Sequence, residues 1–129
     1  MKYTSLILSI VIFSLFSCKK EEGPGGKYSI TGKVFVRTYN SSYTLLKSQY
    51  YAQAETVYLI YGDETVSQTS QKTNYDGTYQ FKYLRKGEYT IYAYSKDSTL
   101  SSSALIPVVK NVTIGSEKNL TLSNIEIIK

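Results

Sequence analysis

Residues 73–91 read Thr73-Asn74-Tyr75-Asp76-Gly77-Thr78-Tyr79-Gln80-Phe81-Lys82-Tyr83-Leu84-Arg85-Lys86-Gly87-Glu88-Tyr89-Thr90-Ile91, and the alternation in this stretch decides the fold. Asp76-Gly77 supplies the positive φ that a tight turn needs, so Asn74-Tyr75-Asp76-Gly77 predicts a hairpin turn. Beyond it, Tyr79 and Phe81 stand two residues apart and share a face, with Leu84 following. Lys86-Gly87 predicts a second turn, after which Tyr89, Ile91 and Ala93 alternate along the next strand. Side chains of this size on inward faces fill the space between two sheets about 10 Å apart.

The same period of two extends in both directions. Ile30, Gly32, Val34 and Val36 form a first strand, and Val57 and Leu59 a second with Tyr58 and Ile60 on its other face. Residues 65–73 are mostly Ser, Thr and Gln, as in an edge strand. Two further strands fit residues 108–114 and 120–128, the latter with Leu120, Leu122, Ile125 and Ile127. No window places apolar residues at i, i+3, i+4 and i+7, so no helix is expected. The composition agrees, with 14 Tyr and 4 Phe among 129 residues, because aromatic and β-branched residues favour strands. The expectation is an all-β, seven-stranded β-sandwich with Greek-key connections.

These residues resemble the carboxypeptidase regulatory-like domain, a transthyretin-like sandwich. Its Gly-x-Val opening is matched by Gly32-Lys33-Val34, and its Ala-Thr-Val-x-Leu strand is approximated by Glu55-Thr56-Val57-Tyr58-Leu59. Its most specific segment, Thr-Asp-x-x-Gly-x-Phe-x-Phe-x-x-Leu-x-x-Gly-x-Tyr-x-Leu, aligns with residues 73–91 in both glycine spacing and aromatic register. The resemblance spans residues 30–128 and implies the fold; it implies little about activity, because one fold hosts many functions. The collagen-adhesin B-type domain is similar too and often carries a Lys–Asn crosslink assisted by a Glu. Tyr92-Ala93-Tyr94 stands where that Glu would lie, so no crosslink is expected and Lys33 is an ordinary outward lysine.

The amino terminus predicts an address. Residues 6–16 are an apolar run of 11 after a single Lys2, too short to span a bilayer and suited to the core of a secretory signal. Leu15-Phe16-Ser17-Cys18 follows and resembles the bacterial lipobox, which implies acylation of Cys18 and removal of residues 1–17. The 129 residues less 17 leave 112, enough for one domain. Residues 18–27, Cys18-Lys19-Lys20-Glu21-Glu22-Gly23-Pro24-Gly25-Gly26-Lys27, have nothing to bury and are expected to be a flexible tether. Lys-Glu-Glu within it resembles a signal that sends lipoproteins to the cell surface in one phylum of Gram-negative bacteria. The folded body is then residues 28–129, held in the outer membrane through a lipid anchor and exposed at the surface.

The residue inventory argues against catalysis. There is no His, which removes the commonest general base and metal ligand. Cys18 is the single cysteine, so neither a disulfide framework nor a Cys-based zinc site is possible. The ten carboxylates are scattered, and Asp63-Glu64, the one adjacent pair in the body, would point to opposite faces of a strand. No metal, cofactor or enzymatic activity is expected. The formal charge of +5 comes from cations spread along strands and turns rather than from a basic stripe, so no nucleic-acid partner is expected either.

Three features remain as candidates for binding. Residues 38–54 form a long connection that includes Tyr39, Tyr43, Tyr50 and Tyr51, readable as a small hairpin turning at Asn40-Ser41-Ser42 or as an aromatic contact surface. Tyr58, Ile60, Tyr92 and Tyr94 lie opposite the inferred core residues; if their strands are neighbours, they make an aromatic platform for sugar rings or a partner protein. Asp97-Ser98-Thr99 fits a short O-glycosylation sequence of the same bacterial group, with Ser98 as acceptor. The function expected is a non-catalytic surface lipoprotein with a structural or adhesion-like interaction module, or alternatively a carbohydrate-binding lipoprotein serving polysaccharide capture.

Overall fold

A computed structural model describes residues 21–99 and 103–129, so Cys18 and the expected signal segment, residues 1–17, lie outside the described residues. The described chain is all-β. Its organising element is β1 (Pro24–Tyr39), which places Tyr28, Ile30, Val34 and Val36 inward by strict alternation. Along one edge of β1 lie β5 (Thr78–Leu84) and then β2 (Leu46–Tyr51), both antiparallel. Val34 marks the join, its N–H bonding the Gly77 carbonyl and its carbonyl accepting from Ala52 N–H. Along the other edge run β8 (Asn119–Thr121) and β9 (Ile125–Ile128), both parallel to β1. The second sheet has the order β4 (Thr69–Lys72), β3 (Thr56–Tyr61), β6 (Gly87–Ser95), β7 (Ile106–Ile114).

The two sheets enclose one core. Val57 and Leu59 of β3, Tyr79, Phe81 and Leu84 of β5, Tyr89, Ile91 and Ala93 of β6, and Ile125 and Ile127 of β9 are all buried within it. The alternation read in residues 73–91 therefore points inward as expected.

The all-β sandwich stands, with nine strands among the described residues rather than seven. One added strand, β2, arises inside residues 38–54 because Asn40 turns the chain back. Asn40 N–H bonds the Leu45 carbonyl, and Asn40 Oδ1 accepts from Thr44 and Leu45 N–H. The other arises because the last expected strand breaks at residues 122–124, where Leu122 N–H still reaches the Thr31 carbonyl before β9 begins.

Two local expectations are corrected. Asn74-Tyr75-Asp76-Gly77 does turn, with Gly77 at φ +82° and its N–H on the Asn74 carbonyl. It carries the chain from β4 in one sheet to β5 in the other, so it is a corner between layers and not a hairpin. Residues 22–27 are part of the fold and not a free tether. Gly23 N–H donates to the Tyr89 hydroxyl at 2.9 Å, Arg85 N–H donates to the Gly23 carbonyl, and β1 starts at Pro24. Backbone bonding holds this segment where its side chains offer nothing to bury.

Candidate functional site

The outward face of the second sheet carries the tyrosines. Pairing of β3 with β6 sets Tyr58 directly across from Tyr92, with Leu59 and Ile91 alternating inward beside them. Side chains opposite one another on antiparallel strands stand about 5 Å apart at Cβ, close enough for rings to pack. The Tyr58 and Tyr92 rings are stacked at 5.0 Å with planes 14° apart. Tyr94, two residues along β6 on the same face, meets both edge-on, at 5.6 Å from Tyr58 and 5.5 Å from Tyr92. All three rings thus satisfy the offset or edge-to-face preference of aromatic quadrupoles.

Register extends this cluster sideways. Val109 of β7 pairs with Tyr92 and Pro107 with Tyr94, while Ser70 of β4 flanks Tyr58. Tyr94 is 40% exposed and Val109 47%. The next row is polar, with the Thr90 hydroxyl donating to Asn111 Oδ1 at 3.1 Å. The result is a flat aromatic and aliphatic patch with a polar border. The Tyr94 phenol is held above its ordinary pKa, first by its hydrogen bond with Tyr92, then by Tyr92's charge, desolvation and Tyr58.

The tyrosines of residues 38–54 do not join this patch. Tyr51 lies beside Phe35 on the outward face of the first sheet, ring centroids 5.2 Å apart, with Lys33 Nζ 4.8 Å over its ring. Tyr50, its neighbour on β2, points to the opposite side and is 47% exposed. Tyr39 and Tyr43 pack at 6.2 Å near the hairpin tip. The hairpin alternative thus describes the 38–54 segment, and its rings decorate a different part of the surface from Tyr58, Tyr92 and Tyr94. Lys33 faces outward and approaches Asp76 at 3.9 Å.

Ser98 is exposed just after β6. Asp97 beside it accepts from Thr99 N–H at 2.8 Å and from the Thr99 hydroxyl at 2.6 Å. These bonds hold the Asp97 carboxyl below the usual carboxylate range. Among the described residues no group of three or more carboxylates is placed to hold a metal ion. Sequence reasoning did not find Val109 and Pro107, because their place beside the tyrosines depends on β7 pairing with β6. It also treated Lys27, Arg85 and Lys86 as scattered cations, whereas the fold gathers them around Tyr28.

No family model matches the chain, and no curated protein matches it in sequence. Among solved structures it is similar to a "putative carbohydrate binding protein" from Pseudomonas aeruginosa. The two are 16% identical, the match covers 83% of this chain and 91% of that one, and the TM-score is 0.49.

Proposed function

We propose that this is a non-catalytic lipoprotein of the outer membrane, anchored through Cys18 and displayed at the cell surface, whose carboxypeptidase regulatory-like sandwich is an interaction module. The observation that supports it best is the Tyr58–Tyr92–Tyr94 cluster, packed into one rigid unit on an outward sheet face and continued by Val109 and Pro107. Interface centres favour tyrosine because a large, amphipathic ring is ordered there at small entropic cost. Placement favours the same conclusion. β6 starts at Gly87 beside the Gly23 attachment, and Tyr94 lies seven residues further, about 23 Å along the strand at 3.3 Å per residue. The cluster is thus displayed away from the amino-terminal end.

The ring geometry favours a protein partner over a sugar platform. Tyr58 and Tyr92 turn their wide faces on one another, whereas stacking on a sugar requires an open face; Tyr94 alone is exposed enough to offer one.

Two experiments test this function. Metabolic labelling with palmitate should mark the parent and leave Cys18→Ala unlabelled; equal labelling would remove the anchor. The purified protein and its Tyr92→Ala and Tyr94→Ala variants would be compared on a glycan array and against surface proteins of the producing cells. Tyrosine-dependent binding to a surface protein, with unchanged thermal denaturation, is expected. Tyrosine-dependent retention on a glycan would instead establish polysaccharide capture, and binding unaffected by either substitution would remove this face from the site.

A further inference from the structure

At the amino-terminal end, a hollow of about 640 Å³ opens between the start of β1 and the turn from β5 to β6, lined by Gly25, Gly26, Lys27, Tyr28, Arg85 and Lys86. Three cations converge there. The ammonium groups of Lys27 and Lys86 stand 5.9 and 5.8 Å from the Tyr28 ring centroid, so one aromatic ring orients both. The Arg85 guanidinium lies along Gly25, where a Cβ would come within 3.2 Å of Nη2 and where φ is +100°. Glycine at that position lets the backbone pass close beneath the guanidinium.

Among the described residues none of the three cations has a carboxylate partner: the ion pairs are Lys33–Asp76, Arg37–Glu126 and Lys129–Glu55. The nearby acids face another way. Glu22 Oε1 accepts from Glu88 N–H at 3.3 Å, and Glu21 and Glu22 border a separate hollow with Asp63 and Glu64. This end of the molecule therefore has a basic side and an acidic side. Arg85 Nη1 donates to the Glu21 carbonyl at 3.4 Å, a neutral acceptor, so the basic side concentrates charge that no carboxylate of the described residues neutralises.

We infer that this hollow binds the phosphate headgroup of an anionic lipid in the membrane that carries the protein. The assignment rests on the proposed acylation of Cys18. Glu22 is held on the fold, and the four residues from Cys18 to Glu22 span at most about 14 Å. An acylated Cys18 thus keeps the hollow within reach of the headgroup layer, whose phosphates are the anions that the anchor itself brings nearest. The chemistry fits a phosphate, with a planar guanidinium offering paired donors and two ammonium groups acting as point charges. Contact through the basic side tilts the domain and lifts the acidic side away from the surface.

The test uses the mature acylated protein reconstituted into vesicles of phosphatidylcholine alone or of phosphatidylcholine with phosphatidylglycerol. Flotation reports anchoring, and a water-soluble acetylating reagent with peptide mass spectrometry reports each lysine. Lys27 and Lys86 should react about fivefold more slowly in the phosphatidylglycerol vesicles, the factor expected for one lysine held at an anionic surface. Lys47 and Lys72, on β2 and β4, should react equally in both, and Arg85→Gln should lose most of the slowing. Flotation with unchanged rates at Lys27 and Lys86, or with all lysines slowed alike, would overturn the headgroup site and leave the anchor standing. Slowing by inorganic phosphate in phosphatidylcholine vesicles, with no response to phosphatidylglycerol, would overturn the lipid assignment in favour of a free anion. Failure to float with either vesicle would overturn the anchor, and the headgroup site with it.

Discussion

Tyr79 and Gly32 depend on each other. They are register partners across β1 and β5, and the Tyr79 ring lies over the space a Gly32 side chain would take, so that a Cβ there would meet Tyr79 Cζ at 2.6 Å. The ring is 1% exposed, and its buried hydroxyl has no hydrogen-bond partner among the described residues. An unsatisfied buried hydroxyl costs about 1–3 kcal/mol. Tyr79→Phe is therefore expected to stabilise the protein by about 1 kcal/mol, raising the midpoint of thermal unfolding by roughly 4 °C. Gly32→Ala should destabilise it, and less so when combined with Tyr79→Phe, which calorimetry on all four proteins would read as a coupling. Burial also pushes the Tyr79 phenol up to about 12 from 10. Between those values the unfolded chain loses this proton while the folded one keeps it, so stability present below pH 10 declines as pH rises toward 12. Denaturant titrations across that range should show a shallower decline for Tyr79→Phe; equal slopes would mean that Tyr79 does not control the alkaline limb.

The first stretch of β1 is held by a network centred on one side chain. The Tyr89 hydroxyl accepts from Gly23 N–H at 2.9 Å and donates to the Arg85 carbonyl at 2.8 Å. Burial, the first cause, holds its phenol above the ordinary value. Tyr89→Phe leaves those backbone groups unpaired and should cost about 1–3 kcal/mol. Deuterium uptake should rise at residues 23–27 and at Arg85 while β3 stays protected; a uniform rise would show that the network serves the whole core instead. Nothing in Gly23-Pro24-Gly25-Gly26 announces this docking, since its partners are backbone atoms and a hydroxyl 66 residues away. The core was legible for the opposite reason: Ile30, Val34, Val36, Val57, Leu59, Tyr79, Phe81, Tyr89 and Ile91 sit on inward faces, where burial imposes a period of two on the sequence. Every residue of β2 is exposed, so no alternation marked Leu46–Tyr51 as a strand, and only Asn40-Ser41-Ser42 hinted at the hairpin. Local turn chemistry fixed the bend at Asn74–Gly77, but not that the chain changes sheets there. For the tyrosine site, the sequence showed which face each ring takes, while the pairing of β3 with β6 decided that Tyr58 and Tyr92 meet.

At the scale of the whole molecule, β1 gives the sandwich a direction. It starts beside the Lys27–Arg85–Lys86 hollow and ends at the hairpin carrying Tyr39 and Tyr43, so cations without a carboxylate partner gather at one end, while Arg37 and Lys129 toward the other are paired with Glu126 and Glu55. Under the proposed function this polarity would turn the basic end toward the membrane and the tyrosine face away from it. Ser98, exposed beyond β6, lies past the end of the strand that carries Tyr94, so a glycan there would border the tyrosine face without touching the hollow. Intact mass of protein from its native host should then fall by one glycan in Ser98→Ala. The sharper test of polarity separates the two outward faces. Val109 lies beside Tyr92 in the middle of the patch and is 47% exposed, so Val109→Arg leaves the core untouched and should change stability by no more than about 0.5 kcal/mol. A partner seated on the patch would have to bury that new charge without a counter-ion, which should weaken binding at least about tenfold. Lys47→Glu, an equally drastic change of charge on β2, should leave binding unchanged, because β2 belongs to the other sheet. If Lys47→Glu weakens binding while Val109→Arg does not, the contact surface lies on the hairpin, and Tyr50 and Tyr51 replace Tyr92 and Tyr94 as its anchors.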